Sequence, residues 1–276
     1  MNPSALRALA ARHGVKPSRS LGQNFLMDPN TARLIAAVAS VGPGERVLEI
    51  GAGLGSLTVA LAATGASVLA VEFDRGLLPA LSEVVGGLDS VEVLATDAMT
   101  VAWPERLGQR RWKMVSNLPY NIATPLVLDM LEAELPIDLY LVMVQREVGE
   151  RLAAGPGDEG YGAVSAKIAY LSEASVVRRV PPTVFWPRPQ VESVLVRLLP
   201  RSAPPVGADR AVLFRVVEEA FAQRRKTMAN ALRRMGLSAA GAAAALERCG
   251  LASSVRAEQL SLEDFARLSG EVPAGA

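Results

Sequence analysis

The chain of 276 residues is predicted to form an α/β domain followed by a smaller helical domain. Up to residue 198, short apolar runs alternate with helical patterns, which is typical of a parallel sheet covered by helices on both faces. A segment rich in proline, serine and glycine follows at residues 200–207, and only helical patterns come after it. We therefore predict a domain boundary that separates residues 1–202 from residues 203–276.

Seven runs have the length and apolar character of strands, at residues 47–50, 68–73, 91–95, 114–116, 139–144, 176–180 and 194–198. No helical pattern separates the last two, so they are expected to form an antiparallel hairpin at one edge of the sheet. Helical periodicity predicts helices at residues 29–40, 56–63, 77–85, 124–134, 163–171, 211–223, 226–235, 239–249 and 262–268.

Composition excludes several classes of protein. Half of the residues are apolar and 21% are charged, so the chain is neither disordered nor collagen-like. Cys249 is the single cysteine and His13 the single histidine, which argues against a disulfide framework, a metal site or a Ser-His-Asp triad. The first twenty residues lack the apolar run of a signal peptide, and glycines interrupt the uncharged residues 51–71. We expect a soluble cytoplasmic protein without a metal.

The net charge of +1 is unevenly distributed. Residues 1–34 contain five lysines and arginines against one acid, and residues 215–234 contain six against two. Each segment could contact an anion such as phosphate, although a solvated helix face is the alternative.

A glycine loop lies between the first predicted strand and the helix that follows it. Gly51, Gly53 and Gly55 allow the backbone to approach a ligand, and the helix that starts near Ser56 would direct free N–H groups toward a carboxylate or phosphate. The spacing G-x-G-x-G differs from the G-x-G-x-x-G of dinucleotide-binding loops. A plain strand-to-helix turn is the alternative.

Two acids follow the next two strands. Glu72 stands 21 residues after Gly51, where a carboxylate could accept both hydroxyls of a ribose, and Asp97 follows the third strand. Because the carboxyl ends of parallel strands meet at one edge of a sheet, these acids and the glycine loop are predicted to form a nucleoside pocket. Taken alone, either acid could be an ordinary turn residue.

The tetrapeptide Asn117-Leu118-Pro119-Tyr120 follows the fourth strand. The side-chain oxygen of Asn117 and the carbonyl of Leu118 could accept both protons of an adenine amino group and so free its lone pair for attack on a methyl group. Pro119 would hold these acceptors in place, and a base could stack on Tyr120. No general base is needed. The alternative is a proline turn with a tyrosine in the core.

Together these motifs resemble the Rossmann-like S-adenosylmethionine-dependent methyltransferases with a seven-stranded sheet. The sequences S-L-G-Q-N-F-L at residues 20–26, N-L-P-Y at 117–120 and F-W-P-R-P-Q-V-E-S at 185–193 are similar to those of the KsgA-type small-subunit rRNA adenine dimethyltransferases. The resemblance extends over residues 16–268 and includes the Q-R-R-K-T sequence at the start of the helical domain.

The resemblance implies a role for each site residue. The N-terminal segment would cap the cofactor, with Asn24 and Leu26 over it and Gln23 and Phe25 near the reacting methyl group. The remaining cofactor-binding residues would be Gly51 and Gly53 beside the amino-acid portion, Glu72 at the ribose, Asp97 and Ala98 at the adenine, and Asn117. Asn117, Leu118, Pro119 and Tyr120 would be catalytic, and Phe185 would stack on the target base opposite Tyr120.

The family also implies a substrate. The enzyme would dimethylate N6 of two adjacent adenosines in the 3′-terminal hairpin loop of 16S rRNA, as a monomer acting on the small ribosomal subunit during its biogenesis. The RNA phosphates would be bound by Arg224, Arg225, Lys226, Arg233 and Arg234. Three alternatives remain open: an Erm-type enzyme that modifies 23S rRNA, a ribosome-assembly factor in which methylation is secondary, and a DNA adenine methyltransferase.

Overall fold

The computed structural model describes residues 1–18, 21–119, 122–223 and 225–273. The chain forms two compact units. The first consists of Met1–Gly149 and Ala174–Pro200, and the second of Glu150–Glu173 and Arg201–Ala276. The chain passes between the units three times, and the third passage, after Pro200, lies two residues before the boundary expected from the sequence. The segment from Glu150 to Glu173 groups with the helical unit.

The described residues form nine strands, which are β1 Phe25–Leu26, β2 Arg46–Ile50, β3 Ser67–Glu72, β4 Val91–Ala95, β5 Trp112–Asn117, β6 Ile137–Gln145, β7 Ser172–Val180, β8 Phe185–Trp186 and β9 Ser193–Pro200. Seven of them form one sheet in the order β4-β3-β2-β5-β6-β9-β7. Strands β2 to β6 pair in parallel, whereas β9 is antiparallel to β6. Strands β1 and β8 form a separate antiparallel ladder.

The α-helices of the described residues are α1 Pro3–Arg12, α2 Pro29–Val38, α3 Ser56–Ala62, α4 Leu78–Val85, α5 Trp103–Leu107, α6 Ala123–Glu132, α7 Arg146–Leu152, α8 Ala163–Leu171, α9 Arg210–Phe221, α10 Met228–Arg234, α11 Ala239–Arg248 and α12 Leu262–Ser269. Among these residues, no helix is long and apolar enough to span a membrane.

The seven-stranded α/β prediction is confirmed. All seven predicted strands occur in the sheet, and β9 and β7 are neighbours at one edge, as expected. Strand β2 lies between β3 and β5, so the chain leaves β2 toward one side of the sheet and later returns on the other. In open α/β sheets such a reversal leaves a crevice at the carboxyl ends of the strands. The glycine loop and Asn117 are therefore brought to the same crevice.

Helix α1 was not predicted from the sequence. The side chain of Asn2 caps its first turn by accepting from the N–H of Ala5, and Pro3 occupies the first helical position, where its missing N–H costs nothing. Leu6, Leu9 and Ala10 pack on one face into a cluster that also contains Phe25, Leu54 and Leu77. Their i, i+3, i+4 spacing is the signal that could have revealed the helix.

The second unit has an aromatic core. The ring of Tyr161 meets that of Phe221 edge to face at 5.6 Å between centroids, and Phe221 also contacts Phe265. The Tyr161 hydroxyl donates to the carbonyl of Leu260 at 3.0 Å, so its buried polar atom has a partner. These contacts join residues of the 150–173 segment to residues after 201, which explains why both belong to one compact unit.

Candidate active site

A cavity opens at the carboxyl ends of β2, β3 and β5. Its lining contains seven of the eight predicted cofactor-binding residues: Asn24, Gly51, Gly53, Glu72, Asp97, Ala98 and Asn117. Leu118 and Pro119 of the predicted catalytic motif line it too. The structure therefore brings together side chains that are as much as 95 positions apart in the sequence.

The glycine loop is shaped by close contacts. Gly51 has a φ of +79°, and a Cβ there would lie 3.1 Å from Cδ of Pro119 and 3.4 Å from the carbonyl oxygen of Asn117. Gly53 has a φ of +58°, and its Cβ would lie 3.1 Å from the ring of Phe25. Only glycine fits such positions without strain. The loop thus lies directly against the Asn-Leu-Pro motif.

The N–H groups of the loop are used within the protein. Those of Gly51 and Ala52 donate to the carbonyl of Val71, and that of Gly55 donates to the carbonyl of Ala52. The N–H of Gly53 donates to Glu72 at 2.7 Å. These hydrogen bonds hold the loop in shape.

Glu72 is fixed by two backbone donors. Its Oε2 accepts from the N–H of Gly53, and its Oε1 accepts from the N–H of Asp74 at 2.8 Å. Burial raises the pKa of Glu72, while these two hydrogen bonds oppose that rise. Because each oxygen has a second lone pair, the carboxylate can still accept two hydroxyl groups. This geometry fits a ribose.

Phe73 was missed by the sequence analysis. It follows Glu72 directly, lines the cavity and exposes 58% of its surface, more than any other large apolar side chain described in the structure. An aromatic face beside Glu72, with Asp97 and Ala98 also in the lining, fits an adenine ring. The signal available was an aromatic residue directly after the strand-end acid, in a chain of low aromatic content.

Asn117 has a defined side-chain orientation. Its Nδ2 donates to the backbone carbonyl of Asn24 at 3.1 Å. A carbonyl can only accept, so the NH₂ group must face Asn24, and Oδ1 is the atom left to accept a hydrogen bond from another group. The motif is anchored further by the N–H of Leu118, which donates to the carbonyl of Met143 at 3.1 Å.

Two predicted site residues differ in placement from the others. Leu26 lines a smaller adjoining cavity together with Glu49, not the main one. Phe185 exposes 1% of its surface and packs in the core of the sheet, so neither face of its ring is open to a base as predicted. Its neighbour Trp186 is the partly exposed ring, and packs against Phe25 at 6.0 Å. Tyr120 lies outside the described residues.

Glu49 is a buried acid beneath the glycine loop. It exposes 1% of its surface, and among the described residues neither its Oε2 nor the hydroxyl of Ser56 in the same cavity has a hydrogen-bond partner. Burial raises the pKa of Glu49 to about 8, and the nearby carboxylate of Glu72 contributes to the rise. At neutral pH the carboxyl is therefore mainly protonated.

The raised pKa of Glu49 predicts a pH dependence of stability. The folded protein retains a proton that the unfolded chain loses from pH 4.5 upward, so stability falls as the pH rises from 4.5 to about 8. The expected slope is at most about 1.4 kcal/mol per pH unit. Glu49→Gln, neutral at every pH, should lack this decline. Denaturant unfolding of both proteins over that interval measures it; a difference in stability that does not change with pH would contradict the assignment.

The predicted RNA-binding residues lie in the second unit. Lys226, Arg233 and Arg234 line a cavity beside the start of α11, and Arg225 is exposed in the preceding turn. Arg234 is engaged within the protein, because its Nε donates to Oε2 of Glu219 at 3.0 Å. Arg224 lies outside the described residues.

The chain has a mainly parallel sheet with this strand order. A glycine loop, a buried acid at the end of β3 and an Asn-Leu-Pro motif meet at one crevice of it. Together these features define a Rossmann-like, S-adenosylmethionine-dependent methyltransferase. Residues 14–272 match the family described as "Ribosomal RNA adenine dimethylase". The chain belongs to this family and is an S-adenosylmethionine-dependent rRNA adenine dimethyltransferase.

Similar proteins agree with this assignment. "Ribosomal RNA small subunit methyltransferase A" of Thermobifida fusca is 45% identical, covering 99% of this chain and 96% of its own, and that of Moorella thermoacetica is 43% identical, covering 97% and 96%. Among solved structures, the 23S rRNA methyltransferase ErmE is 27% identical with a TM-score of 0.69, covering 90% of this chain and 99% of its own. A dimethyladenosine transferase from Plasmodium falciparum shares the fold, with a TM-score of 0.75, 22% identity and coverages of 88% and 95%.

Proposed function

We propose that this enzyme dimethylates N6 of two adjacent adenosines in the 3′-terminal hairpin loop of 16S rRNA, acting as a monomer on the small ribosomal subunit in the cytoplasm. The choice of 16S over 23S rRNA is supported by the names of relatives that are 43–45% identical, against 27% for ErmE. The chemistry is supported chiefly by one observation, the hydrogen bond that orients the Asn117 amide.

The amino group of adenine is a poor nucleophile because its lone pair is delocalised into the ring. With its NH₂ held by Asn24, Asn117 offers an acceptor to one N–H of this group. The carbonyl of Leu118 would accept from the other N–H. Because both acceptors are already held in place, they favour the pyramidal nitrogen of the transition state, and the polar groups of the protein do not have to reorganise during the reaction.

The residues of the cavity fit S-adenosylmethionine. Glu72 would bind the ribose hydroxyls, Phe73 and Asp97 would flank the adenine, and Gly51 and Gly53 would leave room for the amino-acid portion. When bound, this cofactor supplies an electrophilic methyl group on a sulfonium. Tyr120 would stack on the target base; the burial of Phe185 does not support the second stacking contact expected from the family.

The RNA backbone would be bound by Arg224, Arg225, Lys226 and Arg233. The cavity in the second unit is lined by Lys226 and Arg233 and, among the residues that the structure describes, by no acid, so it favours an anion. Arg234 lines the same cavity, but its ion pair with Glu219 satisfies part of its charge. We therefore expect Arg233 to contribute more to RNA binding than its neighbour does.

Replacing Arg233 with glutamine should weaken binding to small subunits. The slope of log K, where K is the association constant, against log salt concentration is negative, and its magnitude should fall by about 1 because one phosphate contact is lost. Arg234→Gln is the matched control and should change the slope less. Filter binding between about 50 and 200 mM salt measures both. Equal slopes for Arg233→Gln and the unmodified enzyme would contradict a phosphate contact at Arg233.

The substrate is tested by incubating the enzyme with labelled S-adenosylmethionine and undermodified 30S or 50S subunits, followed by primer extension. Two adjacent stops in the 3′ hairpin of 16S rRNA are expected. Label confined to 23S rRNA would favour the Erm-type alternative. If an inactive Asn117→Ala protein restores subunit assembly in a strain that lacks the gene for this enzyme, the assembly role is the larger one.

A further inference from the structure

Gln23 and Asn24 connect two parts of the site that follow different strands. The side chain of Gln23 donates from Nε2 to Oδ2 of Asp74 at 2.7 Å, just beyond β3. One residue further on, the carbonyl of Asn24 accepts from Nδ2 of Asn117, at the end of β5. All four residues line the cofactor cavity.

Each end of the Gln23 amide has a defined partner. Its Oε1 accepts from the backbone N–H of Ser18 at 2.8 Å, and its Nε2 faces Asp74. The amide therefore cannot rotate by half a turn without losing both bonds. The other oxygen of Asp74 accepts from the N–H of Gly76 at 2.8 Å, so the orientation of this carboxylate is also fixed.

Asp74 is in turn tied to the ribose-binding acid, because its N–H donates to Oε1 of Glu72. A continuous series of hydrogen bonds thus runs from Glu72 through Asp74 and Gln23 to the backbone that carries the Asn24 carbonyl. That carbonyl selects which atom of the Asn117 amide remains free to accept.

We propose that Gln23 is a positioning residue for methyl transfer. Its hydrogen bond to Asp74 holds the Asn24 carbonyl where it orients the Asn117 amide with Oδ1 toward the target amino group. This inference rests on the proposed function, in which Asn117 binds adenine N6. Loss of the Gln23–Asp74 bond frees the backbone at Asn24, and the Asn117 amide is then no longer held in one orientation.

Reversing the polarity of the hydrogen bond tests this role. Gln23→Glu places two carboxylates against each other. Asp74→Asn leaves one oxygen for two donors, and with that oxygen kept on the N–H of Gly76 its NH₂ group faces the NH₂ of Gln23. Combined, the two changes restore the bond in the opposite direction. The new amide at position 74 donates to the new carboxylate at position 23, whose second oxygen still accepts from the N–H of Ser18. The total charge of the pair equals that of the wild type.

We expect each single variant to lower kcat, measured at saturating S-adenosylmethionine and 30S subunits, by tenfold or more. The double variant should return to within threefold of the wild type. Gln23→Ala, which removes the bond without adding a repulsive group, provides a second test and should also lower kcat. Thermal unfolding identifies any variant that fails to fold, and calorimetry gives the dissociation constant of the cofactor for each folded protein.

Two results would overturn the inference. In the first, the single variants weaken cofactor binding but keep the wild-type kcat. In the second, the kcat of the double variant is no higher than expected if the effects of the two single changes combine independently. If Gln23→Glu or Asp74→Asn does not fold, an unchanged kcat in Gln23→Ala overturns it instead. A wild-type enzyme that leaves 30S subunits unmethylated contradicts the proposed function itself, so the two failures are distinct.

Discussion

Replacing Asn117 with alanine is expected to lower kcat for adenine methylation by about 10²–10³-fold, the range found when one preorganised polar group is removed from an active site. The physical reason is that in the proposed mechanism the Asn117 oxygen, oriented by the carbonyl of Asn24, would bind the amino group most strongly as its nitrogen becomes pyramidal. Single-turnover methylation of 30S subunits at saturating cofactor measures the effect.

Asn30→Ala is the matched control for this experiment, because Asn30 is exposed near the start of α2 and lies away from the cavity lining. It should retain the wild-type rate. The role assigned to Asn117 is wrong if Asn117→Ala keeps its rate, or if saturating concentrations of cofactor restore that rate in full.

Replacing Glu72 with glutamine is expected to weaken cofactor binding by about 10–100-fold, since a hydrogen bond to a charged group contributes about 1.5–3 kcal/mol. Both carboxylate oxygens accept from backbone N–H groups, those of Gly53 and Asp74. The glutamine amide has a single oxygen, so its NH₂ must face one of these donors. The side chain therefore loses one of these two hydrogen bonds, and the ribose loses an acceptor. Isothermal titration with S-adenosylhomocysteine measures the dissociation constant.

Glu83→Gln is the control for the Glu72 variant. Glu83 lies on α4, where it pairs with Arg12 and His13 at the surface, and these partners lower its pKa. Its replacement should leave cofactor affinity unchanged. A dissociation constant of Glu72→Gln within threefold of the wild type would mean that Glu72 does not hold the ribose.

The sequence was sufficient to predict the sheet and the residues at its strand ends. Continuous apolar runs identify the buried strands, and parallel strands end at one edge, so Glu72, Asp97 and Asn117 could be placed at one crevice before any contact was known. The three glycines gave the position of the loop. These features depend on patterns within short stretches of chain.

Contacts between distant segments were not predictable. Gln23 and Asp74 are 51 positions apart and Asn24 and Asn117 are 93 apart, and no periodicity reports such a pairing. The hydrogen bonds that hold the glycine loop also depend on tertiary structure, because Val71 and Glu72 accept from its N–H groups.

Phe185 shows a different limit of prediction from the sequence. Successive side chains of a strand point to opposite faces, so a shift of one residue decides whether Phe185 or Trp186 is buried. Strand β8 has two residues and pairs with β1, which also has two. A ladder this short gives no alternation in the sequence from which the buried face could be read.

A crystal structure of the enzyme with S-adenosylhomocysteine and an adenosine-containing RNA fragment tests the central claim most directly, through the distance from Oδ1 of Asn117 to N6 of the target adenine. The account predicts about 2.9–3.0 Å, an ordinary N–H···O hydrogen bond, with Nδ2 still donating to Asn24. An amide turned with Nδ2 toward the base, or an N6 atom beyond hydrogen-bonding reach of Oδ1, would contradict it.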